Sequence, residues 1–144
     1  MQLKKLILNT KSAWVDYPGL EGFSIEVVNL SRKELQGLRK KCLTNKLDRK
    51  TRQMEEVLDE AKFVVEFTAS VIKDWKGFTL EAAQELLLLD IGDQDPSQEI
   101  DYTLDNAEAL VSSSTEFDTW LNEVIFDLAN FRGDTSRSPV EETE

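Results

Sequence analysis

The chain contains no histidine and a single cysteine, Cys42, in 144 residues. Without imidazole, zinc and other imidazole-ligated metal sites are excluded, and the commonest general acid and base near neutral pH is missing. Cys42 has no second thiol for an intramolecular disulfide and no histidine to activate it, which fits a reducing cytosol. No apolar run approaches the ~20 residues that a bilayer span requires. The start, Met1 to Leu8, is basic and briefly apolar, and no small-residue cleavage site follows it, so no signal peptide is expected. Gly-rich phosphate loops, nucleophile elbows and paired-cysteine motifs are also missing. The expectation is a protein that is not an enzyme and has no catalytic, cofactor or metal residues.

Charge is present, and it is unevenly placed. Residues 1–53 hold 12 Lys/Arg and 5 Asp/Glu, a net +7, whereas residues 54–144 hold 5 and 23, a net -18 within the overall -11. Such asymmetry serves either a nucleic-acid surface or attraction between parts of one chain or neighbouring copies. The basic cluster Arg32, Lys33, Arg39, Lys40, Lys41, Lys46, Arg49, Lys50 and Arg52 has no interleaved aromatic for base stacking, which makes nucleic acid the weaker reading.

Residues 1–30 read as strands and turns. Ala13 to Tyr17, the turn residues Pro18-Gly19-Leu20-Glu21-Gly22, and the alternating run Phe23 to Val27 predict a β-hairpin with Phe23, Ile25 and Val27 on one face. Ser31-Arg32-Lys33-Glu34 has capping-box spacing and predicts a helix start, with Leu35, Leu38 and Cys42 facing inward and Cys42 acting as a small buried hydrophobe. Asn45 to Thr51 reads as a polar, basic loop. A long helix is expected from about Arg52 to Trp75 on its wide apolar stripe, closed by Gly77 in the left-handed conformation.

Thr79 is a cap for a short helix through Leu89. The following segment, Asp90 to Glu99, alternates oxygen donors but lacks the glycine and glutamate positions of a calcium loop, so it reads as a solvated acidic loop. Thr103 caps a helix to about Val111, and a last amphipathic helix runs from Phe117 through Trp120 and Phe131 to Gly133. The expected organisation is a hairpin region over 1–30, a helical domain over 31–132 and a flexible acidic tail over 133–144. The fold class is mainly α (α+β), about five helices in a compact bundle with a small N-terminal β-hairpin.

Aromatics at helix ends are common interface anchors, so Trp75, Gly77, Phe78, Trp120 and Phe131 are the candidate partner-binding residues. The run Val71-Ile72-Lys73-Asp74-Trp75-Lys76-Gly77-Phe78, then Tyr102 to Leu110, then Phe117 to Phe131, resembles the tail assembly chaperones of long-tailed, siphovirus-type bacteriophages and prophages. Phe23 to Val28 and Ser31 to Leu35 are similar to their N-terminal part. The acidic loop Asp90 to Asp101 departs from the pattern by lengthening the gap between the Trp75 turn and the Asn106 helix. The resemblance implies a non-enzymatic chaperone in the host cytoplasm that binds the tape measure protein, helps recruit tail tube protein through a frameshifted long form, and does not stay in the virion. The alternatives are a structural tail completion or connector subunit and, less favoured, a nucleic-acid-binding regulator; a homo-oligomer is compatible with the first two.

Overall fold

The computed structural model describes residues 1–8 and 11–132. The expected tail, 133–144, lies outside the described residues. In chain order the elements are β1 (Ser12–Asp16), β2 (Ser24–Val28), α1 (Arg32–Lys41), β3 (Leu43–Leu47), β4 (Met54–Leu58), α2 (Glu60–Val71), β5 (Ile72–Lys76), α3 (Leu80–Leu86), α4 (Leu104–Ser113) and α5 (Thr115–Ile125). Single 3-10 turns cover Leu3–Lys5 and Leu128–Phe131. The expected helical bundle with one hairpin is therefore corrected. Among the described residues, five strands form two antiparallel sheets beside five helices, a mixed α+β fold.

The first hairpin forms as its alternation predicts. β1 and β2 pair antiparallel from Ser12 opposite Val28 to Asp16 opposite Ser24, and the Tyr17 N–H donates to the Phe23 carbonyl at 2.9 Å to close the turn. Phe23, Ile25 and Val27 are all buried. α1 begins at the expected capping box. The Ser31 hydroxyl accepts from Glu34 N–H, the Glu34 carboxylate accepts from Ser31 N–H, and Cys42 is fully buried at the helix end.

The long helix expected over 52–75 is replaced by strand, helix and strand. β3 and β4 pair as a second hairpin across the segment expected to be a loop, with Leu43 opposite Leu58 and Leu47 opposite Met54. Asp59 then caps α2, its carboxylate accepting from Lys62 N–H at 3.1 Å, so the helix begins only at Glu60.

α2 ends at Val71, and Ile72 is both its C-cap and the first residue of β5. β5 joins β2 antiparallel, giving the order β1-β2-β5. Glu26 faces Asp74 and Val27 faces Ile72, so Lys73 is one residue too many. This bulge turns both Ile72 and Trp75 toward the core, three residues apart. In a flat strand that spacing would put them on opposite faces; in sequence it imitates a helical stripe.

Gly77, expected to close a helix, instead follows the last residue of β5 with a φ of +73°. The caps downstream hold. Thr79 accepts from Ala82 N–H at 3.1 Å and Thr103 from Asn106 N–H at 3.0 Å, starting α3 and α4. α3 stops at Leu86, short of Leu89, because Leu87 is already extended. The last helix also ends early, at Ile125. Asp127 captures the Ala129 N–H at 3.0 Å and opens a separate 3-10 turn.

One hydrophobic cluster holds the inward face of the three-stranded sheet, with Phe23, Ile25, Val27, Ile72 and Trp75, together with Phe67 and Val71 of α2, Leu110 of α4 and Phe117 and Leu121 of α5. α4 packs on α2 and on α5. Among the described residues no helix is long and apolar enough to cross a membrane.

Candidate functional site

The five residues singled out in the sequence fall into two places. Trp75, Gly77 and Phe78 meet at the inner end of β5. The Trp75 and Phe78 rings stand edge to face with centroids 4.9 Å apart, and Phe23 stacks on Phe78 at 4.6 Å. The Trp75 indole N–H donates to the Ile100 carbonyl at 2.8 Å, and the Ile100 N–H donates to the Phe78 carbonyl at 2.7 Å. Trp75 and Phe78 are only 5% and 3% exposed, so both rings are spent on the interior.

Gly77 is confined by backbone on its open side. A Cβ there would lie 2.0 Å from the Gly22 carbonyl oxygen, so the β1–β2 turn and the end of β5 touch main chain to main chain. This closeness lets Phe23 reach the Trp75–Phe78 pair.

Trp120 and Phe131 sit at the margin of the same cluster, each half-buried. The Trp120 ring lies 4.8 Å from that of Tyr17 and 5.6 Å from that of Phe117. Tyr17 donates its hydroxyl to the Glu116 carboxylate at 2.8 Å. Burial raises the Tyr17 pKa well above its ordinary value, and the Glu116 hydrogen bond and charge add to this, so the phenol stays a neutral donor. Phe131 belongs to the 3-10 turn that lies along β1. Tyr17, Pro18, Thr115, Glu116, Thr119, Trp120 and Glu123 border a shallow depression between the first hairpin turn and α5.

Tyr102 completes the aromatic layer, edge to face with Trp75 at 5.3 Å and donating its hydroxyl to the Ile72 carbonyl at 2.8 Å. Its pKa is raised, first by burial and then by the Asp74 charge. In the acidic loop, Asp95 accepts from the Ser97 N–H and hydroxyl at 2.9 and 2.8 Å, which lowers its pKa. Among the described residues no group of three or more Cys, Asp or Glu is arranged to hold a metal ion.

Besides β5, periodicity missed the β3–β4 hairpin. Its signal was present but weak: Leu43 and Leu47, then Met54, Val57 and Leu58, flank a six-residue polar turn, with only two or three apolar side chains per strand. Comparison with known proteins finds no family model, curated protein or solved structure that matches the chain.

Proposed function

We propose that the chain is a tail assembly chaperone of a long-tailed bacteriophage or prophage. In this reading it is a non-enzymatic protein of the host cytoplasm that binds the tape measure protein and helps recruit tail tube subunits. The observation that carries the reading is the order in sequence of the Asp74-Trp75-Lys76-Gly77-Phe78 segment, the Thr103-capped helix and the aromatic last helix. These segments supply β5, α4 and α5, whose buried side chains share one hydrophobic cluster with the first hairpin.

Burial of Trp75 and Phe78 moves the partner contact elsewhere. Surface apolar side chains are available for it: Leu3, Leu6, Ile7 and Leu8 near the start, and Phe126 and Leu128 beyond α5, are exposed. A protein of net charge -11 that covers apolar helical segments with such residues would keep them dispersed by like-charge repulsion. Co-expression with the tape measure protein of the same gene cluster tests this. A soluble complex containing several copies of the chain is expected; recovery of the chain alone, with the long partner left insoluble, would sink the proposal.

Among the described residues the outer edge of β1 has no strand partner in the sheet, and this favours a structural connector subunit as the second reading. Mass spectrometry of purified particles separates the two. A connector is retained at stoichiometric copy number, and a chaperone is missing.

A further inference from the structure

The β3–β4 hairpin stands apart from the core. Every residue of β3 and the first three of β4 are exposed, and none of its side chains belongs to the hydrophobic cluster or packs at its margin. Its base is tied by the Asp59 N–H donating to the Cys42 carbonyl at 2.8 Å. A lone two-stranded ribbon is marginally stable in water.

One face of this ribbon is apolar at both ends. The register sets Leu43 opposite Leu58 and Leu47 opposite Met54 on the same face, with Leu47 and Met54 55% and 62% exposed. The turn is pinned by Arg52 N–H to the Asp48 carbonyl at 2.7 Å and Asp48 N–H to the Gln53 carbonyl at 2.9 Å. It displays Arg49, Lys50 and Arg52 beside one carboxylate, Asp48, which accepts from the Lys50 N–H. None of these three cations enters an ion pair among the described residues.

The same chain carries the opposite surface. After α3, Leu88 is fully exposed and Leu89 partly so, and residues 90–101 then hold Asp90, Asp93, Asp95, Glu99 and Asp101 with no Lys or Arg. One surface joins apolar side chains to cations, and the other joins apolar side chains to carboxylates.

We propose that the β3–β4 arm of one copy docks on the Leu88–Asp101 surface of a second copy. Leu47 and Met54 cover Leu88 and Leu89, and Arg49, Lys50 and Arg52 meet Asp90, Asp93 and Asp95. Two different patches are joined, so the contact is head to tail and each copy can accept a further one. A nucleic acid suits the arm less well, since its phosphates would meet Glu55 and Glu56 on the same ribbon and gain nothing from the apolar row. The contact does not depend on the phage partner proposed above. It is read on the purified chain alone, so loss of tape measure binding and loss of self-association are separate results.

The experiment is sedimentation velocity on nuclease-treated protein across concentration and salt. The mass is expected to rise with concentration at low salt and to fall toward the monomer as salt screens the charges. Reversing the arm (Arg49→Glu, Lys50→Glu, Arg52→Glu) or the loop (Asp90→Lys, Asp93→Lys, Asp95→Lys) is expected to weaken association at least about tenfold with an unchanged helical circular dichroism signal. An equimolar mixture of the two variants should associate again, because the basic arm of one meets the acidic loop of the other. Should either reversed chain fail to fold, Leu88→Ser, at a fully exposed position, gives the same reading by removing the apolar half of the contact. A wild-type chain that is monomeric throughout, variants that associate like wild type, a mixture that stays monomeric, or assembly that disappears with nuclease would each overturn the proposal, the last in favour of nucleic acid.

Discussion

Gly77 packs so closely on the backbone of Gly22 that a Cβ at position 77 would lie 2.0 Å from the Gly22 carbonyl oxygen. Both residues have positive φ, +73° at Gly77 and +88° at Gly22, and the contact joins the first hairpin to the strand that completes its sheet.

Gly77→Ala is therefore expected to lower stability by more than about 2 kcal/mol, since left-handed backbone alone costs an L-residue ~1–2 kcal/mol before the clash with main chain. Gly37 is the internal control. It lies within α1 with open space around it, so Gly37→Ala should raise stability by roughly 0.5–1 kcal/mol. Urea unfolding of the two variants should move the midpoint in opposite directions.

Thr68 is fully buried in α2, and its hydroxyl oxygen has no hydrogen-bond partner among the described residues. Thr68→Val keeps the branched shape and removes the unpaired polar atom, so a gain of about 1 kcal/mol is expected. A lower thermal midpoint in this variant would mean that the hydroxyl is satisfied in solution.

Trp75 tests what the aromatic layer is for. Trp75→Ala should cost about 3–5 kcal/mol by opening a cavity between Phe23, Phe78 and Tyr102. Trp75→Phe keeps a ring but leaves the Ile100 carbonyl without its indole donor, at about 1–2 kcal/mol. If partner capture fell in Trp75→Ala while the unfolding midpoint stayed put, the residue would be an interface anchor and not a member of the core.

Tyr17 sets an alkaline limit. Its folded pKa lies above the ordinary 10.0, so above about pH 10 the unfolded chain releases a proton that the fold retains, and stability falls as pH rises. In Tyr17→Phe this alkaline loss should shrink, though not vanish, because Tyr102 is shifted in the same direction. Unfolding midpoints between neutral pH and pH 11 should show the difference.

Three helix starts were legible because a cap is a local event, while the Asp59 cap of α2 was masked by the apolar stripe that runs past it. Ser31, Thr79 and Thr103 each satisfy a backbone donor three residues away, and their helices begin where those side chains lie. β5 was not legible for the opposite reason. Ile72 and Trp75 gain their common direction from a bulge against Glu26 and Val27, a partner more than forty residues earlier, and on their own they continue the spacing of Thr68 and Val71. The second hairpin was hidden by composition, since its turn is basic and polar and its strands bury little. At the candidate site, the packing of Trp75 on Phe78 could be read from proximity in sequence. Their burial could not, because Phe23, Ile100 and Tyr102 supply it from distant segments.

The Ile125 carbonyl, at the end of α5, accepts from both the Asn29 side-chain amide at 2.7 Å and the Leu30 N–H at 3.3 Å, across 96 residues in the first case. A chain leaving the ribosome thus displays its first hairpin long before the residue that anchors it exists. β2 stays one-sided until Lys76 has emerged, and its exit toward α1 stays loose until Ile125 has. Pulses of protease on stalled nascent chains should leave β1 and β2 cleavable at every length short of α5, with resistance arriving in one late step.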